Sequence, residues 1–299
     1  MNAMTQIRKL ALSLIFAVLP TLALAGQPEV VTSIKPVQGL VFAVLGDRGN
    51  PQLLLDPGTS PHAFSLKPSQ AELLQSADIV FWMGPELETP LQGPLTALSS
   101  KAKVVSLLSV PGLDVLHING ALDPHVWLSI DNSLKMIEYI RQELTALEPD
   151  NAAIYAQNTK RASKKLKLLK RKAGEMVASI KDTPFMVQHD AFGYLTRDLG
   201  LNQVGYLQTV PGREPGAKHV AKVRDLIKSK GVKCLFVEPQ LTSALADGLA
   251  KELGVYIGEI DAMGSDLESS PTLPLRIIQI IIVRLDKCLY TKPKTEKPL

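Results

Sequence analysis

The chain has 299 residues, 45% of them apolar, with 33 Lys and Arg against 29 Asp and Glu. That is enough chain for two domains with real cores. The formal net charge of +4, or +2 once Arg8 and Lys9 are discounted, excludes nucleic-acid binding driven by bulk electrostatics.

Arg8 and Lys9 precede a nearly unbroken apolar run from Leu10 to Leu24, and Ala23-Leu24-Ala25 is a small-x-small cleavage site. Residues 1–25 therefore read as a secretory signal, with the mature chain starting at Gly26. The run is short for a membrane span, no second span follows it, and no Cys stands at the cleavage site to carry a lipid. The expected product is an exported protein of a bacterial periplasm, without stable membrane insertion. Cys234 and Cys288 are then an even pair in an oxidising compartment and read as one disulfide.

Glu29 to Ile34 is a β-branched run and a first strand, followed by a helix over 36–46. Leu53 to Leu55 is a second, buried strand stopped by Asp56-Pro57-Gly58. His62 follows on the loop at its carboxyl end, where open α/β sheets bind ligands. Ser69 and Glu72 have the spacing of a capping box for a helix ending near Ala77. Asp78 to Met83 and Val104 to Leu107 are the third and fourth strands. A loop from Pro111 to Asp123 contains His117, and Asp123-Pro124-His125 places a second turn histidine before a helix capped by Ser129 or Asp131. Pro149 breaks that helix.

Residues 150–181 form one long helix, with Leu166, Leu169, Ala173, Met176, Val177 and Ile180 at spacings of 3 and 4. Its other face is basic from Lys160 to Lys172. A nucleic-acid or lipid surface is one reading of that face. A solvated helix face is preferred, because no aromatic residues interleave and the net charge is small.

After Pro184 the strand–helix alternation resumes. Strands are expected at Phe185–Gln188, Gln203–Leu207, Cys234–Val237 and Val255–Ile260, with helices at Ala191–Leu199, Ala217–Lys230 and residues 243–253. His189 stands at the end of the first of these strands and Asp261 at the end of the last. Leu275 to Leu285 is a buried final helix that returns Cys288 towards Cys234, and residues from Lys292 onward are expected to fray. Alternating strands and helices imply parallel sheets. The fold class is α/β: two four-stranded βα lobes with parallel sheets, joined by one long rigid helix, with a metal site at the lobe interface. The expected organisation is a signal over 1–25, an N-terminal βα lobe over 26–148, a linking helix over 149–182 and a C-terminal βα lobe over 183–299.

His62, His125, His189 and Asp261 all sit at strand ends or in loops between the halves. Three imidazoles and a carboxylate make a borderline-soft tetrahedral site that suits Zn²⁺. Gaps of 63, 64 and 72 residues are no local ligand motif, so spacing alone is a weak signal.

The residues also carry a resemblance. Ser60-Pro61-His62-Ala63-Phe64, Lys67-Pro68-Ser69, Ala77-Asp78-Ile79-Val80 and Met83-Gly84-Pro85-Glu86 continue with His125-Val126-Trp127-Leu128-Ser129 and His189-Asp190-Ala191-Phe192-Gly193-Tyr194. Pro215-Gly216, Val237-Glu238-Pro239-Gln240 and Ile260-Asp261-Ala262-Met263-Gly264 complete the set. The chain resembles the periplasmic zinc-binding proteins of ABC transporters, within the solute-binding family that also serves manganese and iron. The resemblance implies ligand roles for His62, His125 and His189, with Asp261 matching the family's carboxylate, and a disulfide between Cys234 and Cys288. A third histidine at position 189 separates the zinc type from manganese types, which tend to carry Glu there.

The sequence departs from some zinc members in two ways. Pro61 stands where they place a Glu before the first histidine, which leaves Asp261 or a water as fourth ligand. The His-rich loop before the second histidine is reduced to His117. The implied function is capture of Zn²⁺ as cargo by a monomer and delivery to a cognate inner-membrane ABC permease, without catalysis. The rivals are a zinc hydrolase using Asp190 or Glu238 as base, and a manganese- or iron-binding member of the same family. His219 reads as a solvated helix residue, Glu238 as an orienting partner for a histidine or a plain turn residue, and Trp82 and Trp127 as core.

Overall fold

The strands of the two large sheets are short, and all but Lys103–Ser106, which leads into a small hairpin, are followed by a helix. Strands joined through helices pair in parallel, with the helices covering the faces. The computed structural model describes residues 27–290, apart from 119, 209, 210 and 242. The expected signal segment and the chain end from Lys292 lie outside the described residues.

The first half runs β1 (Val30–Thr32), α1 (Lys35–Leu45), β2 (Gln52–Leu53), α2 (Pro68–Ser76), β3 (Ile79–Trp82), α3 (Gln92–Leu98) and β4 (Lys103–Ser106). A small antiparallel hairpin, β5 (His117–Ile118) and β6 (Ala121–Leu122), precedes α4 (Ile130–Leu147) and the long α5 (Ala152–Val177). The second half runs β7 (Phe185–His189), α6 (Gly193–Leu199), β8 (Gln203–Gln208), α7 (Ala217–Lys230), β9 (Cys234–Val237), α8 (Ala244–Leu253), β10 (Tyr256–Glu259) and α9 (Leu273–Leu289).

The sheets have orders β2-β1-β3-β4 and β10-β9-β7-β8, all parallel. Numbered within its own half, each sheet has the order 2-1-3-4. Each therefore reverses direction of growth beside its first strand, and ligands of open α/β sheets bind outside the strand ends at such a point.

Local differences from the sequence reading have physical causes. The helix after His62 starts at Pro68, and the group that closes its first turn is Gln70, whose Oε1 accepts from the Lys67 N–H at 2.8 Å. Ser69 and Glu72 are thus not the capping pair; the proline at the first helical position sets the start one residue earlier. Ser129, rather than Asp131, caps α4 by accepting from the Asn132 N–H. Helix α3 and the β5–β6 hairpin lie in stretches too short for periodicity to register.

Helix α1 is apolar nearly all round and is buried almost throughout, as such a helix must be. It packs against α4, α5 and also α9, the last helix of the chain. Gly39 permits that crossing: a Cβ there would lie 2.9 Å from the Leu273 Cβ. The main core is accordingly continuous, running from Val30 and Phe81 through Leu166 and Leu169 to Ile278 and Ile282. A smaller core lies between α7, α8 and the second sheet, around Met186, Leu207, Val223, Leu235 and Leu249. Polar ties cross between the halves as well. The Lys35 ammonium donates to the carbonyls of Ser265 and Leu267, and the Ser269 hydroxyl donates to Gln38.

Cys234, the first residue of β9, is bonded to Cys288 on α9, with Cα atoms 6.3 Å apart. The bridge ties the sheet to the helix that reaches the other half. It closes a separation of 54 residues, so chain entropy gives it at most about 4 kcal/mol. Replacing both cysteines by serine is expected to lower the free energy of unfolding in urea by up to that amount. No change in the unfolding midpoint would mean that burial of α9 alone holds this junction.

Candidate metal centre

Three histidines, 63 and 64 residues apart in the chain, converge in space. His62 comes from the β2–α2 loop, His125 from the turn before α4, and His189 from the last position of β7. Their ring centroids are 4.9–5.6 Å apart. One nitrogen from each ring lies within 4.8 Å of the other two. His125 and His189 are buried, at 5% and 8% exposure, and His62 is half-buried.

A carboxylate stands behind each of the two buried rings. Nδ1 of His125 lies 2.7 Å from Oδ1 of Asp123, and Nδ1 of His189 lies 2.7 Å from Oε1 of Glu238. A carboxylate oxygen accepts, so each ring carries its hydrogen on Nδ1 and turns the Nε2 lone pair the other way. The backbone N–H of His125 donates to the same Asp123 oxygen, which makes residues 123–125 a closed turn. Tyr194 adds its hydroxyl to the Asp123 carbonyl, and Gln188 accepts from the Glu238 N–H. Both acids are buried, Asp123 at 1% and Glu238 at 5% exposure. His189 ends β7 and Glu238 follows β9, the two strands that flank the reversal point of the second sheet.

Nε2 of His62 is buried and has no hydrogen-bond partner among the described residues. Burial, with smaller contributions from the neighbouring His125 and His189, pulls the pKa of this ring down to about 3. The imidazole is therefore neutral at physiological pH, as a metal ligand must be.

Asp261 is close by but does not join the group. Its Oδ1 accepts from Gln240 Nε2 at 2.6 Å and from the Met263 N–H at 2.8 Å, and its Oδ2 accepts from the Ser265 N–H at 2.5 Å. The structure thus brings together three of the four expected residues and engages the fourth in holding the 261–265 turn. Ala262 and Met263, on that turn, line the cleft. Trp127, read from sequence as core, is buried beside His125 and donates its indole N–H to the Ala262 carbonyl at 2.8 Å. It joins the second histidine's turn to the carboxylate's turn.

The space enclosed by Pro61, His62, His125, His189, Leu241 and Met263 is about 20 Å³, room for one water or one ion. The bases proposed for a hydrolase are both committed: Glu238 to His189, and Asp190 to Gln203 Nε2 at 2.8 Å. His117 is exposed on β5, and His219 stacks on Tyr206 from α7; neither belongs to the cluster. The residue missed from sequence is Asp123. Its signal was its place two residues before His125, where an aspartate can bond both the backbone and the ring of the histidine.

Residues 30–274 match the family model described as zinc-uptake complex component A periplasmic. A high-affinity zinc uptake system protein of Brucella abortus is 31% identical over 89% of this chain and 93% of its own length. One from Haemophilus ducreyi is 31% identical over 90% of this chain and 97% of its own. Among solved structures, a zinc-bound deletion mutant of such a protein superposes with a TM-score of 0.76 at 25% identity, covering 90% of this chain and all of that one.

The neutral His62 has a consequence for stability. In the unfolded chain this ring takes up a proton as pH falls below 6.5, while in the metal-free fold it resists protonation down to about 3. Between those values the unfolded state binds the extra proton, so falling pH destabilises the fold by up to about 1.4 kcal/mol per pH unit from this group. Urea unfolding of metal-free protein at pH 7 and pH 5 is expected to show a steeper loss for the parent than for His62→Ala. Equal losses would contradict the assignment.

Proposed function

The chain belongs to the family of periplasmic component A proteins of zinc-uptake complexes, and on that premise we propose that it captures Zn²⁺ in the periplasm and hands it to an ABC permease. Zinc is the cargo, and His62, His125 and His189 are its ligands through Nε2. The observation that carries this reading is the buried, unpartnered Nε2 of His62 facing two rings whose Nδ1 atoms are already bonded to carboxylates.

The chemistry of the donor set favours zinc. Three neutral imidazoles suit a borderline-soft ion, whereas manganese prefers sites with more oxygen donors. A divalent cation in a dry cleft also needs compensating charge. Asp123 and Glu238, each one hydrogen bond behind a ligand ring, supply it without entering the coordination sphere. Tetrahedral geometry with Zn–N distances of about 2.0–2.1 Å puts ligand nitrogens about 3.3 Å apart. The present separations within 4.8 Å therefore require only a small contraction. Because the main core runs unbroken across both halves, we assign that contraction to the loops carrying His62 and His125 and not to a wide hinge. A water completes the shell, since Asp261 already accepts three hydrogen bonds.

A carrier accounts for the site better than a hydrolase does. The space between the rings, about 20 Å³, suits an ion, and each candidate base is already hydrogen-bonded, Glu238 to His189 and Asp190 to Gln203. The protein acts as a monomeric shuttle of two βα lobes with α5 between them. Among the described residues no helix is long and apolar enough to cross a membrane.

Competition against a zinc chelator tests the assignment. Asp123→Asn and Glu238→Gln are expected to weaken zinc binding by about 10- to 100-fold, since they loosen ligand orientation and remove charge. His62→Ala, His125→Ala and His189→Ala should each cost more, and Asp261→Asn less than any of them. Parent-like zinc affinity in all three histidine variants would place the site elsewhere, and an Asp261→Asn loss as large as theirs would make that carboxylate a ligand.

A further inference from the structure

Helix α5 carries eight cations between Lys160 and Lys172 and no acid among them; its only acidic residue is Glu175. The whole chain has a formal net charge of +4, so the rest of the molecule is net negative and this helix is a concentrated basic ridge. Lys170 pairs with Asp131. Lys160, Arg161, Lys164, Lys165, Lys167, Arg171 and Lys172 are exposed and have no ion pair among the described residues. Repulsion at i,i+4 between Lys160 and Lys164, Arg161 and Lys165, and Lys167 and Arg171 works against the helix. Apart from Glu175, three to four residues beyond Arg171 and Lys172, and Asp131 at Lys170, that pattern finds no compensation among the described residues, which is what an external polyanion would supply.

The cations form two rows on the face opposite the buried Leu166, Leu169 and Ala173. Lys160, Lys164, Lys167 and Arg171 make one row about 16 Å long, and Arg161, Lys165 and Lys172 the other. Each row borders its own cleft. The first row, with Arg141 from α4, lines a cleft of about 750 Å³, in which Glu138 is bonded to that arginine. The second, through Arg161 and Lys165 with Arg48 from the turn after α1, lines a cleft of about 530 Å³. Asn158 and Gln157 add polar groups there, and Asp47 is the one acid at its rim.

We infer that α5 is a docking ridge for anionic phospholipid headgroups, with the two clefts receiving phosphodiesters on either side of the helix. Two straight, parallel rows on a convex helix fit a plane of phosphates. They lack the aromatic side chains on which exposed bases would stack. The tie is peripheral and electrostatic, about fivefold in affinity for each cation that reaches the headgroup layer. Its consequence rests on the carrier reading given above: a protein held at the bilayer surface searches for its permease in two dimensions.

The test is co-sedimentation of the full protein with vesicles of phosphatidylcholine alone or mixed with phosphatidylglycerol. The parent should bind the phosphatidylglycerol vesicles at least tenfold more tightly at about 0.1 M salt and release them at about 1 M, where the Debye length shrinks to about 3 Å. Changing Lys160, Lys164, Lys167 and Arg171 together to Gln, which keeps helix propensity, should abolish the preference. Arg161→Gln with Lys165→Gln should weaken it about fivefold or more. No preference for phosphatidylglycerol, or a parent-like preference in the fourfold variant, would overturn the inference. So would tighter binding of a DNA oligonucleotide than of vesicles at equal phosphate, which would assign the ridge to nucleic acid. Zinc stoichiometry measured on the same samples separates the two questions: it should be unchanged in these variants, and its absence from the parent would refute the carrier reading while leaving the lipid result to stand.

Discussion

A ring nitrogen shut away from water needs a partner, and Nε2 of His62 has none within the described protein. Desolvation keeps the ring neutral, so it cannot relieve the deficit by taking a proton. What remains is a lone pair aimed at two other imidazoles whose own tautomers are set from behind by Asp123 and Glu238. Three imidazoles around one small space, two of them backed by buried carboxylates, leave an orphaned ring nitrogen of the kind a bound cation would satisfy.

The rest of the structure keeps those groups in place. Each sheet reverses beside its first strand, and the second sheet delivers His189 and Glu238 from the two strands at its reversal. The first half contributes loops instead, and these are anchored across the gap. Trp127 bonds Ala262, Lys35 bonds the carbonyls of Ser265 and Leu267, and Asp261 organises the turn between them. Asp261 thus holds the turn whose Ala262 and Met263 line the cleft. Helix α9 and the Cys234–Cys288 bridge carry the second half onto α1, which makes the two halves one packed body with a small adjustable centre.

Much of this was legible in the residues. The bounds of α7 and β9 follow directly from Gly216, Gly231 and the apolar run Cys234–Val237, because turn glycines and a fully buried strand leave little freedom. The strand-end positions of His62 and His189 were legible for the same reason. What escaped was decided by contacts that only the folded chain makes. Ser69 and Glu72 have capping-box spacing, yet Pro68 and Gln70 start the helix, since Gln70 also donates to the Leu54 carbonyl and is fixed from both sides. The sequence left Asp261 or a water as fourth ligand, and the hydrogen bonds of that carboxylate to Gln240, Met263 and Ser265 could not be read from the order of residues. Asp123 was hidden because a buried aspartate two residues before a histidine looks like an ordinary turn until the ring is seen to bond to it.

The central claim is that one ion is shared by three imidazoles drawn from both halves of the molecule. Anomalous diffraction at the zinc edge from crystals of the zinc-loaded protein tests it most directly. The account predicts a single peak with Nε2 of His62, His125 and His189 each about 2.0–2.1 Å away. A peak lying outside that triangle, or ligated through Nδ1 of His125 or His189 with Asp123 and Glu238 displaced, would contradict it.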